Sequence, residues 1–238
     1  MEILDRLRFF EPADGVALAA LVLSWAAIGL LIEHPPVRKP SVAVLMSQYR
    51  REWFVQYVTR EPRIFDSNIL ATLREGTTFF ASASMIAIGG ALALIGNTES
   101  LLGVAQDLTL ETGPAIVWEI KLLVVLLFIA NGFLKFVWAH RLFGYCAVVM
   151  ASVPNDPAAA QSRVRARQAA EINITASRSF NRGMRSIYFA LAALAWLLGA
   201  VALVGAVLLT VFVLWRREFA SQSRTVLLEI PPSEETPQ

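Results

Sequence analysis

The sequence predicts an all-α integral membrane protein: a four-helix bundle with an interfacial amphipathic helix and a further helix on the cytoplasmic side. Three observations predict it. Residues 186–215, thirty in a row, carry no charge, and as a helix they would run about 45 Å against about 30 Å of bilayer hydrocarbon. Charged side chains make up 17% of the chain and hydrophobic ones 56%, where soluble domains average about 25% charged; mean hydropathy is +0.54. The charges that remain are gathered into particular segments between the apolar runs.

The first span is expected over 15–32, between Asp14 and Glu33, and Pro35-Pro36 stops it because proline lacks the donor a helix needs. Ahead of it stand Glu2, Asp5, Arg6, Arg8 and Glu11, a mixed rather than basic leader without a small-residue cleavage pattern, so the segment is expected to be a retained anchor. Between Ser41 and Arg60, residues Leu45, Tyr49, Trp53 and Tyr57 recur every four positions, with Arg50, Arg51 and Glu52 mostly between them. That pattern predicts an amphipathic helix lying in the membrane interface, ended by Pro62. Asp66 or Ser67 is the expected cap of a helix leading into the second span, 76–96.

The third span, 114–138, contains Glu119, Lys121 and Lys135, which leaves only 122–134 uncharged between its lysines. A run of about 20 Å is too short to cross, so the lysines are expected to snorkel outward or to pair inside the bundle. Glu119 and Trp118 read as interfacial groups, the tryptophan as part of an aromatic belt, with a cation or proton site at Glu119 as the alternative. After the break Val153-Pro154-Asn155-Asp156-Pro157, a cytoplasmic helix is expected over 158–179, with Arg163, Arg167 and Glu171 at the spacing of a surface salt-bridge row. The fourth span is expected over 186–215. Residues 1–220 then form a single membrane domain, and 221–238 an acidic, proline-rich tail, disordered by composition.

Lys plus Arg number two in the N-terminal segment, seven in 33–75, none in 97–113, seven in 139–185 and three after 215. Four spans alternate these into fourteen on one side against five on the other. The positive-inside rule then puts both long basic segments in the cytoplasm and both termini in the periplasm; Arg216-Arg217 on the outer side is the weak point.

The richest chemistry is a polar layer at the inner ends of the spans. Arg74 and Glu75 open the second span, Asn131 and Lys135 share a face of the third, and Asn181, Arg182 and Arg185 precede the fourth. Glu75 and Lys135 are the expected intramembrane ion pair, with Arg185 as the other candidate partner for Glu75. Arg50, Arg51, Arg74, Lys135, Arg182 and Arg185 are the candidate contacts for an anionic lipid or phosphate, since guanidinium forks match phosphate oxygens. The competing expectation is that these are ordinary anchors reaching the headgroups. One cysteine, Cys146, and two histidines, His34 and His140, are too few for a metal cluster, so no metal is expected. Small-residue ladders at Ala83, Ala87 and Ala91, at Ala195-Gly199 and at Ala202-Ala206 are expected to serve packing inside the bundle, with an oligomer interface as the alternative. No catalytic residue, cofactor motif or nucleic-acid motif is present.

The chain resembles a family of uncharacterised membrane proteins, domain of unknown function 599, found in bacteria and plants. Three stretches carry the likeness. One is Arg50-Arg51-Glu52-Trp53 with Asp66 to Arg74, running into Phe80 to Ser84; another is the third span with Lys121, Phe128 and its continuation from Phe136 to Tyr145; the last is Ser179 to Trp196. The resemblance implies four spans and a bacterial inner-membrane home, and it carries no substrate, cofactor or catalytic residue. The function expected is that of a non-enzymatic accessory or scaffold subunit, with membrane lipids, further copies or a larger complex as partners. The alternative is a small anionic-lipid-binding or transport protein using the inner Arg/Lys layer.

Overall fold

The helices form from apolar runs punctuated by proline, serine and glycine. The computed structural model describes residues 10–97 and 114–229; they contain seven α-helices, one 3-10 turn and no strand. Helix α1 (Pro12–Glu33) starts with proline at its first position and a capping box between Glu11 and Asp14. Helix α2 (Val42–Tyr57) is capped by Ser41, whose hydroxyl accepts from the Val44 amide at 3.2 Å and donates to the Ile32 carbonyl at 2.7 Å. The rest are α3 (Ile64–Gly96), α4 (Ala115–Ala151), α5 (Ala160–Leu194), α6 (Ala200–Phe219) and the short α7 (Gln222–Leu227). Four of the described helical segments are long and apolar enough to cross a membrane: α1, α3, α4 and Ala200–Leu227. The protein is a multi-pass membrane protein built as an all-α bundle.

Two of the apolar helices outrun the bilayer, and a third helix is mostly polar. Helices α3 and α4 have 33 and 37 residues, roughly 50 Å or more each, so about 20 Å of each projects past the hydrocarbon; α5, with 35 residues, carries its charges between Arg163 and Arg185 and is uncharged only in its last turns. The projecting parts, with α2, make a helical head with its own core of Phe54, Tyr57, Leu70, Phe143, Cys146 and Ala169. A second core fills the membrane half, where Leu21, Ile28, Phe128, Phe189, Trp196 and Leu203 meet.

The uncharged run 186–215 is not one span. Helix α5 continues without interruption from Ala160 to Leu194, through the position where the cytoplasmic helix was expected to end. A 3-10 turn, Ala195–Leu198, follows, and Gly199 reverses the chain at φ 111° and ψ 168°, backbone that only glycine adopts readily. The apolar end of α5 and α6 are therefore the two arms of a hairpin. At the turn, the Trp196 indole N–H donates to Asp14 at the start of α1 at 2.6 Å. At the other end, Glu218 accepts from the Ala43 amide at 3.0 Å, Arg224 donates to the Pro40 carbonyl at 2.9 Å, and Lys39 lies 5.0 Å over the Trp215 ring. Among the described residues, Phe10 lies against Trp196 at the turn end of the bundle, and Arg224 reaches Pro40 at the head end. About 45 Å of uncharged helix exceeds one bilayer, and a hairpin divides that length between two arms.

Other expectations change with packing. Helix α2 does not lie flat with one aromatic face towards lipid; it packs along α5 with Leu45, Phe54 and Tyr57 buried. Asp66 is no cap. Helix α3 starts before it, and its fully buried carboxylate accepts from Arg60 at 2.5 Å and from the Trp53 indole at 2.6 Å. Lys121 does not snorkel: it is buried, 5.7 Å from the Trp118 ring and 5.9 Å from the Trp196 ring, and Trp118 is itself buried rather than in a belt. The ladder on α3 is internal only at Ala91, which is buried. Ser82, Ala83, Ala87 and Gly90 are exposed, and among the described residues α3 packs substantially against α4 alone.

Candidate functional site

The polar layer exists, with a different acid at its centre. Glu33, the last residue of α1, accepts from both Arg182 and Arg185 of α5, with the Arg182 Nε at 2.9 Å. Arg185 is 7% exposed on its side chain and Arg182 49%, so one cation is locked in place while the other reaches outward. Lys135 and Asn131 of α4 and Trp25, Ala26 and Leu30 of α1 complete an open cleft of about 400 Å³ beside this pair. The Asn131 amide donates to the Ser186 hydroxyl at 2.9 Å, which ties α4 to α5 at the same depth. The Glu75–Lys135 pair does not form among the described residues; Glu75 is exposed, turned away on α3. Equal depth brought the two charges to one level, but helix rotation set them on different faces.

The remaining expected contacts are dispersed. Arg74 is exposed and lines a shallow pocket with Arg63. Arg50 turns into the head, donating to the Asn173 side-chain carbonyl, while the Asn173 amide meets the Cys146 sulfur at 3.7 Å. Burial pushes the Arg50 guanidinium below its ordinary pKa. Arg51 crosses to Glu171 of α5 at 2.7 Å, so Glu171 bonds to α2 rather than completing a row with Arg163 and Arg167. That hydrogen bond holds the Glu171 carboxyl below, and the Arg51 guanidinium above, their ordinary values.

The Arg51–Glu171 pair closes one part of a groove of about 840 Å³ between α2 and α5. Phe54, Val55, Val164 and Ala170 give it an apolar lining, and Arg163 and Arg167 stand on its rim. Sequence reasoning missed this groove because it lies between helices more than a hundred residues apart. It also missed Arg63, which donates to the Val153 and Pro154 carbonyls at 2.9 and 3.0 Å in the loop just past the end of α4. His140 has its Nδ1 3.3 and 3.2 Å from the Thr77 and Thr78 hydroxyls, an α4–α3 tie, while His34 is exposed; among the described residues no three His, Cys, Asp or Glu gather to hold a metal.

This arrangement of head, hairpin and inner layer falls within one family description. The family described as "Protein of unknown function, DUF599" matches residues 16–223, from the first turns of α1 into α7. The chain belongs to DUF599. No curated protein and no solved structure matches it. In this DUF599 protein, the cleft, the groove and the hairpin all lie inside the matched region.

Proposed function

We propose that this DUF599 protein is a non-enzymatic accessory or scaffold subunit of a larger assembly in the bacterial inner membrane, with its helical head in the cytoplasm. The observation that carries this is the outward face of α3. A helix whose Ser82, Ala83, Ala87 and Gly90 face away from its own bundle offers a second helix the close backbone approach that drives association in lipid. The α2–α5 groove adds a second contact surface on the head. In the inner layer Glu33 holds Arg182 and Arg185, which suits anchoring more than proton transfer.

The orientation rests on charge. With the hairpin in place, seventeen Lys and Arg lie on the head side or beside it, against two in the N-terminal segment. That asymmetry favours a cytoplasmic head and C-terminal helix, with the 195–199 turn in the periplasm, and Arg216-Arg217 cease to be an exception. The test is native mass spectrometry in mild detergent on the wild type and on Ala87→Trp. The wild type is expected with a second copy or a distinct subunit, and Ala87→Trp without it. A wild type that flies alone, and whose state Ala87→Trp does not alter, defeats the proposal.

A further inference from the structure

The cleft at the junction of α1, α4 and α5 has two chemically different halves. One is basic: Lys135, Arg182 and Arg185 stand around the single carboxylate of Glu33, three cations to one anion. Arg185 is committed to Glu33, and its guanidinium passes 3.7 Å from where a side chain on Gly29 would begin, so it is held by packing as well as charge. Arg182 turns Nε and one terminal nitrogen to Glu33, which leaves its other terminal nitrogen free to donate. Lys135 has no carboxylate within 4.0 Å among the described residues. The other half is apolar, made by Trp25, Ala26 and Leu30, with Leu30 65% exposed on the apolar span α1.

We propose that this cleft binds an anionic phospholipid, its phosphate on Lys135 and Arg182 and an acyl chain along Trp25, Ala26 and Leu30. Surplus positive charge at the end of a lipid-facing apolar slot selects a ligand that joins both chemistries. A free phosphate would use only the basic half, in a position where hydrocarbon rather than water borders the rest. Glu33 and Arg185 are positioning residues: they fix Arg182 and keep the surplus charge on the open side. The site is independent of any partner on α3 and stands or falls without it.

Native mass spectrometry of the full chain with dioleoyl phosphatidylglycerol or dioleoyl phosphatidylcholine tests this. The wild type is expected to retain the anionic lipid over the zwitterionic one. Lys135→Met, which leaves the Glu33 pair intact, should weaken anionic-lipid retention roughly tenfold, as expected for one charge-assisted contact, and Lys135→Arg should restore it. Ala26→Phe, which fills the apolar half without touching charge, should also lower retention, and excess inorganic phosphate should leave wild-type lipid in place. All variants are to be compared at unchanged melting temperature. Equal retention of the two lipids, unchanged binding in Lys135→Met, or displacement of the lipid by inorganic phosphate with no effect of Ala26→Phe would each overturn the proposal, the last by assigning the site to free phosphate.

Discussion

Where α4 crosses α5, two glycines face each other, and adding one methyl group there should destabilise the bundle. A Cβ at Gly183 would lie 2.7, 2.9 and 3.0 Å from three ring carbons of Phe136, where ordinary contact begins at 3.4 Å. The ring cannot easily retreat. Phe136 is fully buried, and its centroid lies 5.4 Å from that of Phe80 and 5.5 Å from that of Phe180. Gly183→Ala must therefore push the two helices apart or force the ring off its rotamer by about 0.7 Å of lost clearance, a kind of overpacking that costs about 1–3 kcal/mol. Against this, alanine in a helix interior gains about 0.5–1 kcal/mol over glycine. The net expectation is a loss of about 1–2 kcal/mol. Gly144 on α4 is the control: a Cβ there meets nothing within 4 Å, so Gly144→Ala should stabilise by up to about 1 kcal/mol. Equilibrium unfolding in mixed micelles measures both, and Phe136→Leu should relieve much of the Gly183→Ala penalty, a coupling visible in a double-mutant cycle. If Gly183→Ala and Gly144→Ala shift stability in the same direction by similar amounts, the close crossing is wrong.

Three further outcomes are expected. Gly199→Ala should cost about 1–3 kcal/mol, because φ 111° with ψ 168° is nearly closed to residues with a Cβ; unchanged unfolding would remove the hairpin's physical basis. Glu33→Gln should cost about 2–4 kcal/mol by leaving the buried Arg185 without its carboxylate, whereas Arg182→Gln, at a half-exposed site, should cost under about 1 kcal/mol; thermal melts that rank the two the other way would contradict the burial. The Arg51–Glu171 pair depresses the Glu171 carboxyl, so its stabilisation is present above the ordinary value of 4.5 and fades as pH falls through the lower folded value. Both groups are about half exposed, so the contribution is about 0.5 kcal/mol; the stability gap between wild type and Glu171→Gln should close in acid, and a gap that widens there would reverse the sign.

Much of the membrane half was legible because apolar run length is a local property. The first span, 15–32, lies inside α1 with three further residues at its start and one at its end, and 76–96 ends where α3 ends. The head was partly legible: Arg50, Trp53 and Tyr57 mark α2, but nothing in their spacing tells a helix lying on lipid from one packed on α5. The hairpin left two traces, a run too long for one bilayer and arginines at 216 and 217 on the wrong side of the count. Gly199 did not reveal it, because a glycine four residues after Ala195 reads equally well as a packing ladder.

At the candidate site, depth followed from the sequence and azimuth did not. Position along a helix places Lys135, Arg182 and Arg185 at one level, yet Glu33 rather than Glu75 supplies their counter-charge, since rotation about each helix axis decides which groups meet. The sequence by itself determined the apolar runs available to a membrane and the positions of charge along the chain, because hydrophobic length and charge act residue by residue. Only the tertiary structure decided the reversal at Gly199, the partners of the buried charges and the open face of α3, because these depend on contacts between helices distant in the chain.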